Sequence, residues 1–239
     1  LEDFPNGNYV EGYVSLVPEG EGVTLGLPYL GFYADWEQAP LFDDVPDGDY
    51  YISPTRLVGA STDYIGGDYL GMGFGGTYDY SKLAFSADYN GEGNRALALL
   101  PGLRRNATSL NLSVLDPAGS VMWESSYDRV PKNYFNTNSG GITLLAVWEG
   151  WDGCLTDGTY APEGPGYIYR LAGSVGQSQA KQTMDIPFFL DNTAPKATDF
   201  TLVEEDGRYL LEFLVQDNHY VNYIQLGDST SQERLAAVG

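Results

Sequence analysis

Residues Trp148 to Tyr169 read WEGWDGCLTDGTYAPEGPGYIY, and the local chemistry of this stretch points to β structure. Trp151-Asp152-Gly153 and Asp157-Gly158 each supply a tight turn, because aspartate bonds the backbone two residues on and glycine accepts positive φ. Pro162-Glu163-Gly164-Pro165-Gly166 interrupts any regular element. Tyr167-Ile168-Tyr169-Arg170-Leu171 then resumes with residues that suit a pleated sheet. Strand, acidic turns, strand is the join of a β-sandwich and not the frame of a catalytic centre.

The flanking sequence repeats the pattern. Before the join, Ile142 to Trp148 is a short apolar run suited to a buried strand, and after it Gln182 to Leu190 is another, with Pro187 marking an edge or a bulge. Ala107 to Leu115 alternates polar and apolar residues. It returns through the turn Asp116-Pro117-Ala118-Gly119 into Ser120 to Ser125, a hairpin. Asn8 to Leu16 and Val23 to Trp36 form a second hairpin, bent or bulged where Gly26, Pro28 and Gly31 intervene. Ala39 to Thr55 reads as a linker or long loop, Val58 to Tyr80 has no clear period, and Ser81 to Phe85 and Arg95 to Leu100 read as short strands. Beyond Asp191-Asn192-Thr193-Ala194-Pro195, three more strands are expected at Thr201 to Glu204, Tyr209 to Val215 and Val221 to Leu226. A last helical turn is expected near Ser231 to Ala237. The fold class is all-β, made of immunoglobulin- or fibronectin-III-like sandwich modules. The expected division is residues 1–40 as the end of a first module, 41–193 as a complete central sandwich, and 194–239 as the start of a third.

Composition narrows the function. The 239 residues carry 33 acidic and 12 basic side chains, a formal charge of −21. Such a surface repels phosphate backbones and anionic lipid, which excludes nucleic-acid binding and membrane-surface docking as general roles. One cysteine, Cys154, excludes an internal disulfide. No apolar run approaches the ~20 residues that span a bilayer. The chain opens at Leu1 without a methionine, as a piece excised from a longer protein would.

Catalytic chemistry finds little to stand on. The one histidine, His219, sits in an expected turn without a nucleophile motif near it. One histidine and one cysteine do not build a usual zinc site. Gly71-Met72-Gly73-Phe74-Gly75-Gly76 matches G-x-G-x-x-G in letters but has no βαβ setting, so its glycines read as turns. Calcium is the one ion the sequence offers: Asp88, Asn90 and Glu92 place oxygen ligands at alternate positions, with Gly93 in sixth place for the turn. Leu99 stands where the closing glutamate of an EF-hand would be, so Asp152 and Asp157 would have to complete the site from a neighbouring loop. An ordinary polar turn is the competing reading. Tyr50, Tyr51, Tyr64, Tyr69, Tyr78 and Tyr80 crowd the irregular region, as cover for a domain junction or as sugar-binding faces. No cofactor other than calcium is called for.

Phe4-Pro5-Asn6-Gly7-Asn8-Tyr9-Val10-Glu11-Gly12-Tyr13-Val14, followed by Leu27-Pro28-Tyr29-Leu30-Gly31-Phe32-Tyr33-Ala34-Asp35-Trp36, resembles the end of the first fibronectin-III-like domain of cell-envelope subtilisin-like serine proteases, the lactocepin and streptococcal C5a peptidase type. Ser86 to Gly93 is similar to a loop of that family, with Ala87 in place of a proline. Leu103-Arg104-Arg105-Asn106-Ala107, Trp151-Asp152-Gly153 with Asp157-Gly158, and Phe188 to Pro195 continue the likeness. The resemblance is dense over residues 4–36 and sparser over 81–195. It implies a secreted or cell-wall-attached serine endopeptidase of a Gram-positive-type bacterium as the parent protein. It carries no catalytic residue onto this chain, because the subtilase signatures around Asp, His and Ser are absent.

The expectation that follows is a non-catalytic accessory region, a spacer or scaffold with a substrate exosite as a further role, inactive alone. Its partners would be the catalytic domain of the same chain and protein substrates, at an extracellular or cell-envelope location. The alternative is a stand-alone extracellular adhesin or carbohydrate-binding module using its tyrosines.

Overall fold

The computed structural model describes residues 3–4, 7–43, 53–60, 70–72, 78–87, 96–143, 150–176, 180–221, 223–227 and 232–236. Its first elements are β1 (Asn8–Leu16), β2 (Leu25–Tyr33), β3 (Arg56–Ala60), a 3-10 turn (Tyr80–Lys82), β4 (Ala84–Phe85) and β5 (Ala96–Leu100). There follow β6 (Ala107–Leu115), β7 (Val121–Val130), β8 (Tyr134–Asn136), β9 (Gly141–Thr143), β10 (Gly164–Ser174) and β11 (Gln182–Leu190). The last are β12 (Lys196–Glu205), β13 (Arg208–Gln216), β14 (Tyr223–Gly227) and β15 (Gln232–Ala236). The fold is all-β.

The centre is a five-stranded sheet in the order β4-β11-β10-β6-β7, antiparallel except where β4 joins β11 in parallel. Its inward residues follow the period-2 rule. Leu110, Leu112 and Val114 of β6, Tyr167, Tyr169 and Leu171 of β10, and Ile186, Phe188 and Leu190 of β11 are all buried. Against them pack Leu57 of β3 and Leu97 and Leu99 of β5, in one continuous core. The β3–β5 pair also buries Val58 and Ala98 on its other face. That two-sided burial is why Ala96 to Leu100 reads as an unbroken apolar run and not as an alternation. Trp151 closes the core: it is 1% exposed, exchanges both backbone hydrogen bonds with Leu97, and donates its indole N–H to the Cys154 carbonyl at 3.0 Å.

Two-stranded hairpins lie on either side in sequence, β1–β2 and β12–β13. The second turns through Asp206 and Gly207, both with positive φ (53° and 73°), the two-residue turn that matches strand twist.

Several expectations are corrected. Gln232–Ala236 is a strand paired with β14 and not a helical turn. Five residues are too few to nucleate a helix, whereas pairing with an adjacent strand satisfies their backbone groups at once. Tyr80–Lys82 is a 3-10 turn capped by Asp79, whose carboxylate accepts from the Ser81 amide and hydroxyl, so the strand there shrinks to Ala84–Phe85. The first hairpin has no bulge at Gly26, Pro28 or Gly31: its register runs unbroken from Asn8 opposite Tyr33 to Leu16 opposite Leu25. A two-stranded ribbon leaves alternate N–H groups facing outward, so a proline costs no ladder bond at such a position. Leu41, Phe42 and Asp43, assigned to a linker, are buried and bridge to the 101–104 segment, Asp43 N–H to Gly102 O at 2.6 Å and Arg104 N–H to Leu41 O at 2.9 Å. Pro187 lies on β11 just before the two residues that pair with β4, where one side of the strand has no ladder partner among the described residues.

Candidate functional site

Of the five residues expected to hold calcium, Asp88, Asn90 and Glu92 lie outside the described residues. Asp152 and Asp157 are described, and both act as turn formers. Asp152 Oδ1 accepts from the Cys154 amide at 2.9 Å, and Asp157 Oδ1 accepts from the Thr159 amide and hydroxyl at 2.9 and 2.6 Å. The Thr159 bonds pull the Asp157 carboxyl below its usual range, while burial and the neighbouring Asp152 push the Cys154 thiol up. Gly153 lies against Ala87. It has φ +84°, and a Cβ there would fall 2.1 Å from the Cβ of Ala87. Among the described residues no group of three or more His, Cys, Asp or Glu is placed to hold a metal ion.

The more developed constellation lies where the chain passes from the first hairpin into the central sandwich. Trp36 packs edge-on against Phe32 and Tyr9, with ring centroids 4.9 and 6.0 Å away. The Arg105 guanidinium lies 4.2 Å from the Trp36 ring centre and donates Nη1 to the Ala39 carbonyl at 2.6 Å. Gln182 of β11 holds the same crossing from the other side. Its Nε2 donates to the Glu37 and Ala39 carbonyls (2.8 and 2.9 Å), and its Oε1 accepts from the Leu41 amide (2.9 Å). Trp36, Ala39 and Arg105 form one wall of an open cleft of about 920 Å³. The cleft is lined by Tyr9, Phe32, Trp36 and four basic residues: Arg104, Arg105, Arg129 and Lys132. Arg104 pairs with Asp43 at 3.5 Å. Arg105 leaves Nε and Nη2 shielded from solvent without a hydrogen-bond acceptor, and its desolvation lowers its pKa.

A second crossing joins the central sandwich to β12. Asn192 Oδ1 accepts from the Ala87 amide at 2.8 Å, Thr193 donates to Glu163 at 3.0 Å, and Asn218 hydrogen-bonds the other Glu163 oxygen. His219 stacks on Phe189, centroids 4.4 Å apart, in a turn tied by Asp217 Oδ1 to the amides of His219 and Tyr220. The histidine is thus part of a packed turn. Burial and the charges of Asp217 and Glu163 raise the pKa of Asp191 here.

Of the crowded tyrosines, Tyr50, Tyr51, Tyr64 and Tyr69 lie outside the described residues. Tyr78 and Tyr80 meet edge to face at 5.7 Å, and burial pushes the Tyr78 hydroxyl up to about 12. Among the described residues the exposed tyrosines are Tyr9, Tyr13, Tyr29 and Tyr33 of the first hairpin, with Tyr134, Tyr160, Tyr209 and Tyr220 elsewhere. In the sequence Arg104 and Arg105 stand out only as part of a family-like segment, and Arg129 and Lys132 belong to no motif. Their convergence depends on contacts that no local pattern encodes.

No protein-family model matches the chain. Among curated proteins it is 29% identical over 207 residues to a PI-type proteinase of Lactococcus lactis subsp. cremoris, an alignment covering 81% of this chain and 11% of that protein. A PII-type proteinase of Lacticaseibacillus paracasei matches with the same identity and coverage. A PIII-type proteinase of Lactococcus lactis subsp. cremoris (strain SK11) matches at 28% over 206 residues, 81% of this chain and 10% of that one. The chain spans about a tenth of the length of these relatives. The matches agree with the resemblance drawn above: this chain is similar to a region of the lactocepin-type cell-envelope proteinases.

Proposed function

We propose that this chain is a non-catalytic accessory region of a secreted or cell-wall-attached subtilisin-like serine endopeptidase, acting as a spacer and scaffold beside the catalytic domain of the same polypeptide. The observation that carries the reading is the similarity of the chain to about a tenth of each proteinase; its single histidine is packed into a turn. The two crossings support it mechanically, because Trp36–Arg105–Gln182 at one end and Glu163–Asn218 at the other tie neighbouring segments to a common core. The division is that of three fibronectin-III-like modules, with breaks after residues 40 and 193. Two measurements test the reading. The isolated chain should neither cleave a general protein substrate nor label with a fluorophosphonate. Deleting the region from a parent proteinase should lower its activity on proteins more than its activity on a short chromogenic peptide. Labelling of the isolated chain would sink the reading.

A structural calcium ion held by Asp88, Asn90 and Glu92 with Asp152 and Asp157 belongs to the same proposal. The close approach of Gly153 to Ala87, the residue before Asp88 in sequence, supports it. Calcium that binds only the folded chain raises its melting temperature. The expected result is a rise in millimolar calcium over chelator, absent in Asp152→Asn. Identical melts would remove the ion from the account.

A further inference from the structure

The cleft between the first hairpin and the central sandwich inverts the charge of the molecule around it. In a chain where acids outnumber bases 33 to 12, its sixteen lining residues include four bases and no acid. Arg104 is the one base of the four held by a carboxylate, that of Asp43. Arg129 and Lys132 are exposed and have no acidic partner within salt-bridge distance among the described residues. Arg105 adds a charge with two N–H groups closed off from water and unmatched, so its positive potential at the cleft is not neutralised by an acid. Backbone strain marks the same place. Arg129, the next-to-last residue of β7, holds φ +54°, a conformation uncommon outside glycine, and such outliers gather at binding sites.

We infer that this cleft binds an acidic polypeptide segment in extended form. The volume, about 920 Å³, lies within the range of ligand-binding pockets. Arg129 and Lys132 receive carboxylates, and the rings of Tyr9, Phe32 and Trp36 receive an apolar side chain between them. A peptide is favoured over other polyanions because Arg129 and Val130 end β7, an outer strand whose one ladder partner is β6 among the described residues. Its outer edge offers main-chain donors and acceptors to an added strand. The inference holds whether or not the chain serves a proteinase.

The test is fluorescence anisotropy with the 239-residue chain and two labelled peptides of equal length, one alternating glutamate with phenylalanine and the other glutamine with phenylalanine. At about 50 mM salt the glutamate peptide should bind roughly tenfold more tightly, and the difference should shrink at about 300 mM. Arg129→Glu combined with Lys132→Glu should abolish the preference, and Arg129→Gln with Lys132→Gln should reduce it, each with an unchanged circular dichroism spectrum and melting temperature. Equal binding of the two peptides, or a preference untouched by charge reversal, would overturn the inference. So would a polyphosphate chain competing as well as the glutamate peptide, since that would reduce the site to bare charge.

Discussion

The guanidinium of Arg105 sits 4.2 Å from the centre of the Trp36 indole while its Nη1 donates to the Ala39 carbonyl at 2.6 Å. One side chain thus covers the aromatic cluster of the first hairpin and fixes the chain as it leaves that hairpin. Removing the ring exposes a cation already short of acceptors. Trp36→Ala is expected to lower stability by about 1–2 kcal/mol, the scale of a partly desolvated cation–π contact plus lost packing. It should also speed tryptic cleavage after Arg105. A melt combined with timed proteolysis checks both, and unchanged cleavage would show that the hairpin is held by Gln182 alone.

Gly153 offers a sharper probe. Its φ of +84° and the 2.1 Å approach to Ala87 leave no place for a methyl group. Gly153→Ala is expected to cost about 2–4 kcal/mol through strain and overpacking, measured by urea denaturation. Gly158→Ala shares the positive φ but meets nothing within 4 Å, so it should cost clearly less.

The bidentate pair of Arg170 with Asp185, 2.6 Å on each oxygen, holds the carboxyl below its usual range. A depressed carboxylate adds stability above the unfolded value, about pH 4, and that stability is lost as pH falls through the folded one. Both side chains are about 40% exposed, so Asp185→Asn should cost no more than about 0.5 kcal/mol at neutral pH and nothing at pH 2. Denaturation midpoints at the two pH values check the sign.

Asp191 has the opposite sign. Burial and the charges of Asp217 and Glu163 raise its pKa, so the folded state gains protons first and stability falls as pH rises through that window. Asp191→Asn keeps an oxygen for the Thr193 amide and removes the repulsion. The expected outcome is a gain of a few tenths of a kcal/mol at neutral pH, discounted for solvent screening. A loss of stability would show that the carboxylate's hydrogen bonds with Thr193 and Asn218 outweigh the repulsion.

The strands were legible where side chains declare a period and turns declare a type. Ala107 to Leu115 alternates, and Asp116 and Gly119 close the turn with bonds to Ala118, Ser120 and each other. Arg56–Ala60 escaped because a strand buried on both faces of a pair has no polar alternation to show. Gln232–Ala236 misled because helix-favouring residues in a five-residue piece yield to an adjacent strand. The candidate cleft was illegible for a different reason. Its bases come from residues 104–105 and 129–132, its aromatic wall from residues 9–36, and a net charge of −21 conceals a local reversal of sign.

Gln182 grips the incoming backbone at residues 37, 39 and 41 from an inner strand of the central sheet. Tension drawn through the first hairpin therefore meets the side chains of Gln182 and Arg105 before it reaches any β-ladder of the core. These few side-chain hydrogen bonds are expected to rupture at a lower force than the long ladders of the sheet behind them. Stretched from its ends, the molecule should release the hairpin as a separate early step, a slack-giving link that spares the sandwich.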